Sequence, residues 1–261
     1  MDFQFKEAYN ISDLIDIMRI LRSPDGCPWD KVQTHESIRQ NFIEETYEVV
    51  EAIDKGDSPL LREELGDVLM QVIFHSIMEE EEGRFGFDDV CDDVCKKLII
   101  RHPHVFGNVE ADTPEEVLRN WDAIKMRTKS QESYSDSVDD VAKSLPALMR
   151  AQKAQKRSAK SGMDFENVES AADKVLEERA ELLAAVQRGD KADIEEELGD
   201  LLFSAVNIAR FVGVDAELAL TKATDKFSSR FRAVEELAHN RGIDMKTAST
   251  ELIDSLWEEV K

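Results

Sequence analysis

Residues 174–203 read KVLEERAELLAAVQRGDKADIEEELGDLLF, and residues 41–70 read NFIEETYEVVEAIDKGDSPLLREELGDVLM. Aligned without gaps, the two stretches share Glu44, Glu45, Glu48, Gly56, Asp57, Glu63, Glu64, Leu65, Gly66, Asp67 and Leu69 of the first copy. Two helices that merely resembled each other would repeat apolar positions; here most of the shared residues are acidic. The chain therefore contains a duplicated EExxE…EELGD unit, and such a repeat has to be recognised before any fold is assigned.

On a helix, residues three apart project from one face, so Glu45 and Glu48 form one carboxylate pair and Glu64 and Asp67 another. The short link Lys55-Gly56-Asp57-Ser58-Pro59 closes the two helices into an antiparallel hairpin that sets the pairs facing each other. Glu178/Glu181 and Glu197/Asp200 repeat the arrangement. Like charges at this spacing destabilise even an exposed helix by a few tenths of a kcal/mol, and four together cost more unless a cation sits among them. Carboxylates alone, with no His or Cys in the set, suit Mg²⁺ or Mn²⁺ rather than zinc or di-iron chemistry. Gly66 and Gly199 interrupt helix interiors at a cost of about 1 kcal/mol relative to Ala, which suggests close backbone approach or room for a ligand.

Outward from the repeat, the rest of the chain is also helical in pattern. Alternation of Val, Ile and Thr at period two is nearly absent. Spacings of three and four recur, as in Leu14, Ile17, Met18, Leu21 and in Leu198, Leu201, Leu202, Ala205. The fold class is all-α: two tandem repeats, each with a four-helix-type metal-binding core. Helices are expected over roughly 5–22, 35–55, 59–82, 87–101, 114–128, 144–160, 166–188, 191–212, 215–241 and 247–260. Ser58-Pro59 and Thr113-Pro114 look like N-cap and first-turn pairs, with a capping box from Thr113 to Glu116. Gly56, Gly83, Gly189 and Gly213 are expected stops. Residues 1–130 form the N-terminal domain and 144–261 the C-terminal one; the polar segment 131–143 is the expected linker.

With 56 Asp and Glu against 33 Lys and Arg, the net charge is −23 over 261 residues. Residues 1–130 carry 29 acidic and 15 basic groups, so the acidity belongs to the folded elements and not to a tail. Duplex nucleic acid and anionic membranes reward the opposite sign, and both are excluded as partners. The longest uncharged run, Val68–Met78, has 11 residues, short of the ~20 needed to span a bilayer. No signal peptide is evident, and three cysteines make no disulfide framework. A cytoplasmic location is expected. Cys91 and Cys95 read as helix-packing thiols, and His102-Pro103-His104 as a loop.

Basic residues also recur in order. Lys226 and Arg230 follow the second acidic motif as Lys97 and Arg101 follow the first. Trp257-x-x-x-Lys261 echoes Trp121-x-x-x-Lys125. An aromatic group and a cation one turn apart can stack a base and reach a phosphate; a core tryptophan beside a surface lysine is the other reading. Neither a P-loop nor a dinucleotide-binding glycine motif is present.

The sequence resembles the MazG family of nucleoside triphosphate pyrophosphohydrolases with tandem MazG-like domains. Beyond the acidic repeats, the resemblance rests on Gly26-Cys-Pro-Trp-Asp30, Arg101-His-Pro-His-Val-Phe106, Ser144-Leu-Pro-Ala-Leu-Met-Arg-Ala-Gln152 and Trp257-Glu-Glu-Val-Lys261, and it covers nearly the whole chain. It implies Mg²⁺-dependent hydrolysis of NTPs and dNTPs to the monophosphate and pyrophosphate by a homodimer. Carried onto this chain, the metal ligands are Glu178, Glu181, Glu197 and Asp200, with Glu45, Glu48, Glu64 and Asp67 as a second set. Nucleotide contacts fall on Lys174, Glu177, Glu178, Glu196, Asp200, Lys226, Arg230, Trp257 and Lys261. Glu177 is the expected base or water-orienting group, and Lys226 and Arg230 hold the leaving pyrophosphate. The first copy has Asn41 where the second has Lys174, so its phosphate site lacks a cation. Two alternatives stand beside the broad hydrolase: a nucleotide-sensing or protein-binding regulatory helical protein without turnover, and a narrow dUTP or dCTP pyrophosphatase. Regulatory protein partners are compatible with any of the three.

Overall fold

The computed structural model describes residues 3–128 and 133–261, and every regular element among them is helical. The chain divides into two compact units, Met1–Ile124 and Lys125–Lys261. The first contains α1 (Ile11–Arg22), a 3-10 turn at Asp30–Val32, α2 (Arg39–Lys55), α3 (Ser58–Glu81), α4 (Phe87–Arg101) and α5 (Pro103–Phe106), and α6 (Pro114–Thr128) begins in it. The second contains α7 (Tyr134–Asp139), α8 (Ala147–Ala159), α9 (Val168–Arg188), α10 (Lys191–Phe211), α11 (Ala216–Asn240) and α12 (Thr250–Glu259).

The duplicated motif forms the expected hairpins, α2 with α3 and α9 with α10. Both close through glycine in the left-handed region, Gly56 at φ 65° and Gly189 at φ 75°. An L side chain is strained there, and an αL residue just past a helix end satisfies its last carbonyls. Asp57 and Asp190 then cap the returning helices, accepting from the amides of Leu60 and Ala192. The cap of α3 is thus Asp57 and not Ser58, because a carboxylate one residue earlier meets the free amide of Leu60, just past Pro59. Ala52 and Ala185, equivalent in the repeat, are fully buried, and so small a side chain lets the two helices of a hairpin approach closely.

Several expected boundaries shift inward. Helix α1 starts at Ile11 because Asn10 and Asp13 form a capping box, and α12 starts at Thr250 behind the Ser249 cap. Two short helices were not anticipated. One, α5, falls where His102-Pro103-His104 suggested a loop. The other, α7, lies inside the segment expected as a linker: Ser133 caps it with Asp136, Arg157 reaches back to the Ser137 carbonyl, and Val141 is buried. Residues 131 and 132 of that segment lie outside the described residues. At Thr113 the capping box with Glu116 forms as expected.

The first unit is cored by Met18, Ile38, Ile73, Phe74, Ile77 and Met78. In the second, Val234, Ala238 and Leu256 join α11 to α12, with Trp257 packed against them.

Candidate metal and nucleotide site

The α9–α10 hairpin brings Glu178 across from Glu197 and Asp200. One carboxylate oxygen of each lies within 4.8 Å of the others. Glu178 is buried, Glu197 half-buried and Asp200 exposed. Lys174, one turn before Glu178 on α9, places Nζ 2.6 Å from Glu178 Oε1 and 2.9 Å from Glu177 Oε1. Hydrogen bonds to both carboxylates hold the Lys174 ammonium well above the ordinary lysine range. The Glu197 carboxyl is pushed up by desolvation and then by the negative charge of Glu181, Glu178, Asp200 and Glu196. Glu181 lies outside the set of three and acts on it through charge. Glu177 and Glu196 are exposed neighbours of the cluster.

The other oxygen of Glu178, Oε2, is buried and has no hydrogen-bond partner. Leaving such a group unsatisfied costs about 1–3 kcal/mol, and more for a charge. A hard divalent cation among three carboxylates would satisfy it and remove their mutual repulsion, so the donor set fits a metal of the Mg²⁺ or Mn²⁺ type. The α2–α3 hairpin also makes a cluster, of Glu45, Glu48 and Glu64, in which Glu48 replaces the counterpart of Asp200 as the third member. Glu45 is raised by desolvation and then by Asp67, and Glu64 by desolvation and then by Glu48. Asp67, like Glu181, is outside its set of three.

The glycines of EELGD are not explained by close packing within the chain. A Cβ placed at Gly66 or Gly199 meets nothing within 4 Å. Open space flanks both helix positions.

Beside the second cluster lies a cavity of about 710 Å³, with Lys174, Glu178 and Asp200 in its wall. That volume is in the usual range for a small-molecule site. Its remaining polar wall was missed from sequence: Gln155 and Ser158 from α8, Asp164 from the α8–α9 connection, and Ser204, Asn207 and Arg210 from α10. The available signal was the pair Asn207 and Arg210, set three apart in an otherwise apolar stretch of α10.

Lys226, Arg230, Trp257 and Lys261 form a different group. Trp257 packs on Phe227 with ring centroids 5.6 Å apart, Arg230 donates to the Lys261 carbonyl at 3.4 Å, and Lys261 pairs with Glu258. Among the described residues, no hydrogen bond or ion pair joins this group to the carboxylates. In the first unit, Arg101 lies over the Trp121 ring at 5.3 Å; the side chain of Lys125 is outside the described residues.

No described helix is long and apolar enough to cross a membrane. Residues 33–106 and 166–235, one segment on each acidic hairpin, match the family model for the MazG nucleotide pyrophosphohydrolase domain. The chain is 47% identical over 254 residues to the nucleoside triphosphate pyrophosphohydrolase of Escherichia coli K12, covering 96% of this chain and 97% of that one. It is 43% identical to the nucleoside triphosphate pyrophosphohydrolase/pyrophosphatase MazG of Thermotoga maritima, covering 95% and 94%. Similarity to Bacillus subtilis YabN, at 45% identity, covers 97% of this chain and 52% of that protein. With both acidic hairpins inside the matched segments, the chain belongs to the MazG nucleotide pyrophosphohydrolase family.

Proposed function

We propose that the second unit hydrolyses nucleoside and deoxynucleoside triphosphates to the monophosphate and pyrophosphate, with Mg²⁺ or Mn²⁺ as cofactor. The observation that carries this reading is the cluster of Glu178, Glu197 and Asp200, with an unsatisfied buried oxygen, in the wall of a cavity large enough for a nucleotide. The names of the full-length relatives support it. Glu178, Glu197 and Asp200 would hold a divalent cation, which would supply charge neutralisation for the triphosphate and make a nearby water easier to deprotonate. Glu181 adds negative field from the next turn and completes the four-carboxylate set.

Around that centre the chain's own groups divide the work. Lys174 offers the cavity a cation and orients Glu178 through their hydrogen bond. Glu177, exposed and next to the ligand set, orients the attacking water and accepts its proton. Glu196 contacts the nucleotide from the facing helix. Lys226 and Arg230 hold the pyrophosphate, with Trp257 and Lys261 beside them on the nucleotide. A homodimer is the natural way to join that group to the carboxylates. Its support is the apolar surface exposed on three helices: Leu176, Leu183 and Val186 of α9, Leu198 and Leu202 of α10, and Phe227 and Phe231 of α11. The three free cysteines suit a reducing cytoplasm.

The test is pyrophosphate release from the eight canonical NTPs and dNTPs, with and without Mg²⁺. Release is expected to require the metal. Glu178→Ala is expected to lower it at least about a hundredfold, as loss of a group that stabilises transition-state charge does, while Glu45→Ala leaves it within about twofold. Undiminished turnover in Glu178→Ala would overturn the site assignment. Turnover confined to dUTP or dCTP would favour a narrow pyrophosphatase, and none with any nucleotide would favour a binding protein.

A further inference from the structure

Helix α10 runs along the cavity described above. Asp200, Ser204, Asn207 and Arg210 fall on one face of it, spread over about 15 Å at 1.5 Å per residue. Asp200 marks the carboxylate end. The Arg210 end has a different chemistry. Arg210 is the cation there, and it is already committed: its guanidinium pairs with Asp164, with Nη1 2.9 Å from Oδ2, and lies 4.4 Å from the Phe211 ring centre. A phosphate would find no free charge at that end.

It would find amides and aromatic rings instead. Arg210 Nε donates to Asn207 Oδ1 at 2.9 Å, which fixes that buried side chain so that its NH₂ group is the atom left over. Gln155, also buried, donates from Nε2 to the Phe203 carbonyl at 2.8 Å. Its own carbonyl oxygen is buried without a hydrogen-bond partner. The wall therefore combines an unused acceptor on Gln155, an unused donor on Asn207 and the rings of Phe165 and Phe203. An unsatisfied buried acceptor is costly and calls for a reason. A flat heterocycle with a donor and an acceptor side by side on its edge provides one.

We infer that the Arg210 end of this cavity is the nucleobase pocket, in which Gln155 Oε1 accepts from an N–H of the base and Asn207 Nδ2 donates to the neighbouring ring nitrogen or carbonyl. The inference rests on the hydrolase reading above and adds to it the residues that recognise the base. Arg210 and Asp164 are positioning residues; they set which atom of Asn207 faces the base. With adenine, the 6-amino group meets Gln155 and N1 meets Asn207. Every canonical base has such an adjacent donor and acceptor on its Watson–Crick edge, so the pocket accepts all of them and rejects an edge without a donor.

Purine riboside 5′-triphosphate differs from ATP by lacking the 6-amino group, and it provides the test. With the full-length wild-type protein and Mg²⁺, its KM is expected to exceed that of ATP at least tenfold, with little change in kcat. In Gln155→Leu the KM for ATP should rise to match, bringing the ratio of the two kcat/KM values close to 1. Asn207→Asp keeps the oxygen that Arg210 needs and replaces the donor by an acceptor. It should raise the ATP KM at least tenfold with an unchanged thermal melt, and it carries the test if Gln155→Leu does not fold. A wild-type ratio near 1, a ratio that survives Gln155→Leu, or an ATP KM unmoved in Asn207→Asp overturns the pocket while pyrophosphate release from ATP still stands. Absence of release from every nucleotide overturns the hydrolase reading and the pocket with it.

Discussion

The two units have the same carboxylate hairpin and differ in what lies beside it. Along α10 beyond the acidic motif, the polar residues that line the cavity are Ser204, Asn207 and Arg210. At the corresponding positions of α3 stand Gln71, Phe74 and Ile77, all buried, and Phe74 and Ile77 pack with Met18 and Ile38 in the core of the first unit. Lys174, which pairs with Glu178, has Asn41 as its counterpart. The acidic hairpin recurs in both units, though its close cluster takes in Glu48 in the first and Asp200 in the second, and the wall next to it is packed side chains in one and a polar lining in the other. On the proposed reading, three carboxylates within reach of one another are not enough: the cation of Lys174 and an open helix face beside them complete the site.

The strongest way to break this comparison is to empty the two walls in turn. Phe74→Ala is expected to destabilise the protein by about 3–5 kcal/mol, the usual cost of removing a buried aromatic side chain. Asn207→Ala removes one hydrogen bond beside an existing cavity and should cost about 1 kcal/mol. Urea unfolding of the full chain, followed by helical signal, gives both values. A loss below 1 kcal/mol for Phe74→Ala would mean that the first unit's wall is not packed, and the contrast between the units would fail.

A second difference is titratable. His75 of α3 has Ile208 as its counterpart in α10. The His75 ring stacks on His35 with centroids 4.9 Å apart, and their Nδ1 atoms are 2.6 Å apart. Burial, and then the charge of His35, holds His75 below its ordinary value of 6.5. The unfolded chain therefore takes up this proton at a higher pH than the folded one. Stability is intact above 6.5 and falls as pH drops from there toward the folded-state value. His75→Ile, which copies the second unit, should flatten the dependence of the melting temperature between pH 7 and 5.5. An unchanged slope would show that other groups produce it.

The sequence made the duplicated part legible because its chemistry is periodic. Carboxylates three apart on both arms and a glycine stop between the arms are local patterns, and the structure has both; the α3 cap expected at Ser58 lies one residue earlier, at Asp57. The cavity was not legible. Gln155, Asp164 and Asn207 come from three separate segments, and each is an ordinary polar residue where it stands; only packing makes them neighbours. Helices α5 and α7 were missed for another reason. Spans this short have no hydrophobic period to read, and they persist because Pro103 preorganises one and the Ser133–Asp136 box with Arg157 holds the other. Lys226, Arg230, Trp257 and Lys261 were legible as a recurring order; within the chain Arg230, Trp257 and Lys261 gather around Phe227 and α12, and among the described residues no hydrogen bond or ion pair links them to the carboxylates.

The smallest expected effect concerns the glycine that both hairpins keep. Glycine inside a helix costs about 1 kcal/mol relative to alanine. At Gly66 and Gly199 no neighbouring atom would meet the added methyl group. Packing within the chain therefore gives no reason for glycine at either place, and alanine should raise stability by up to about 1 kcal/mol at both. The two substitutions part in function. Gly199 adjoins Asp200 in the wall of the cavity proposed for the nucleotide, so Gly199→Ala should gain stability and lose turnover. Gly66→Ala should gain the same stability at no cost to turnover, because the wall beside it is filled by Phe74 and Ile77. Thermal melts and pyrophosphate release on the two single variants settle the matter. Equal losses of activity would mean that the first hairpin also works on nucleotides, and the distinction between a working copy and a packed one would have to be given up.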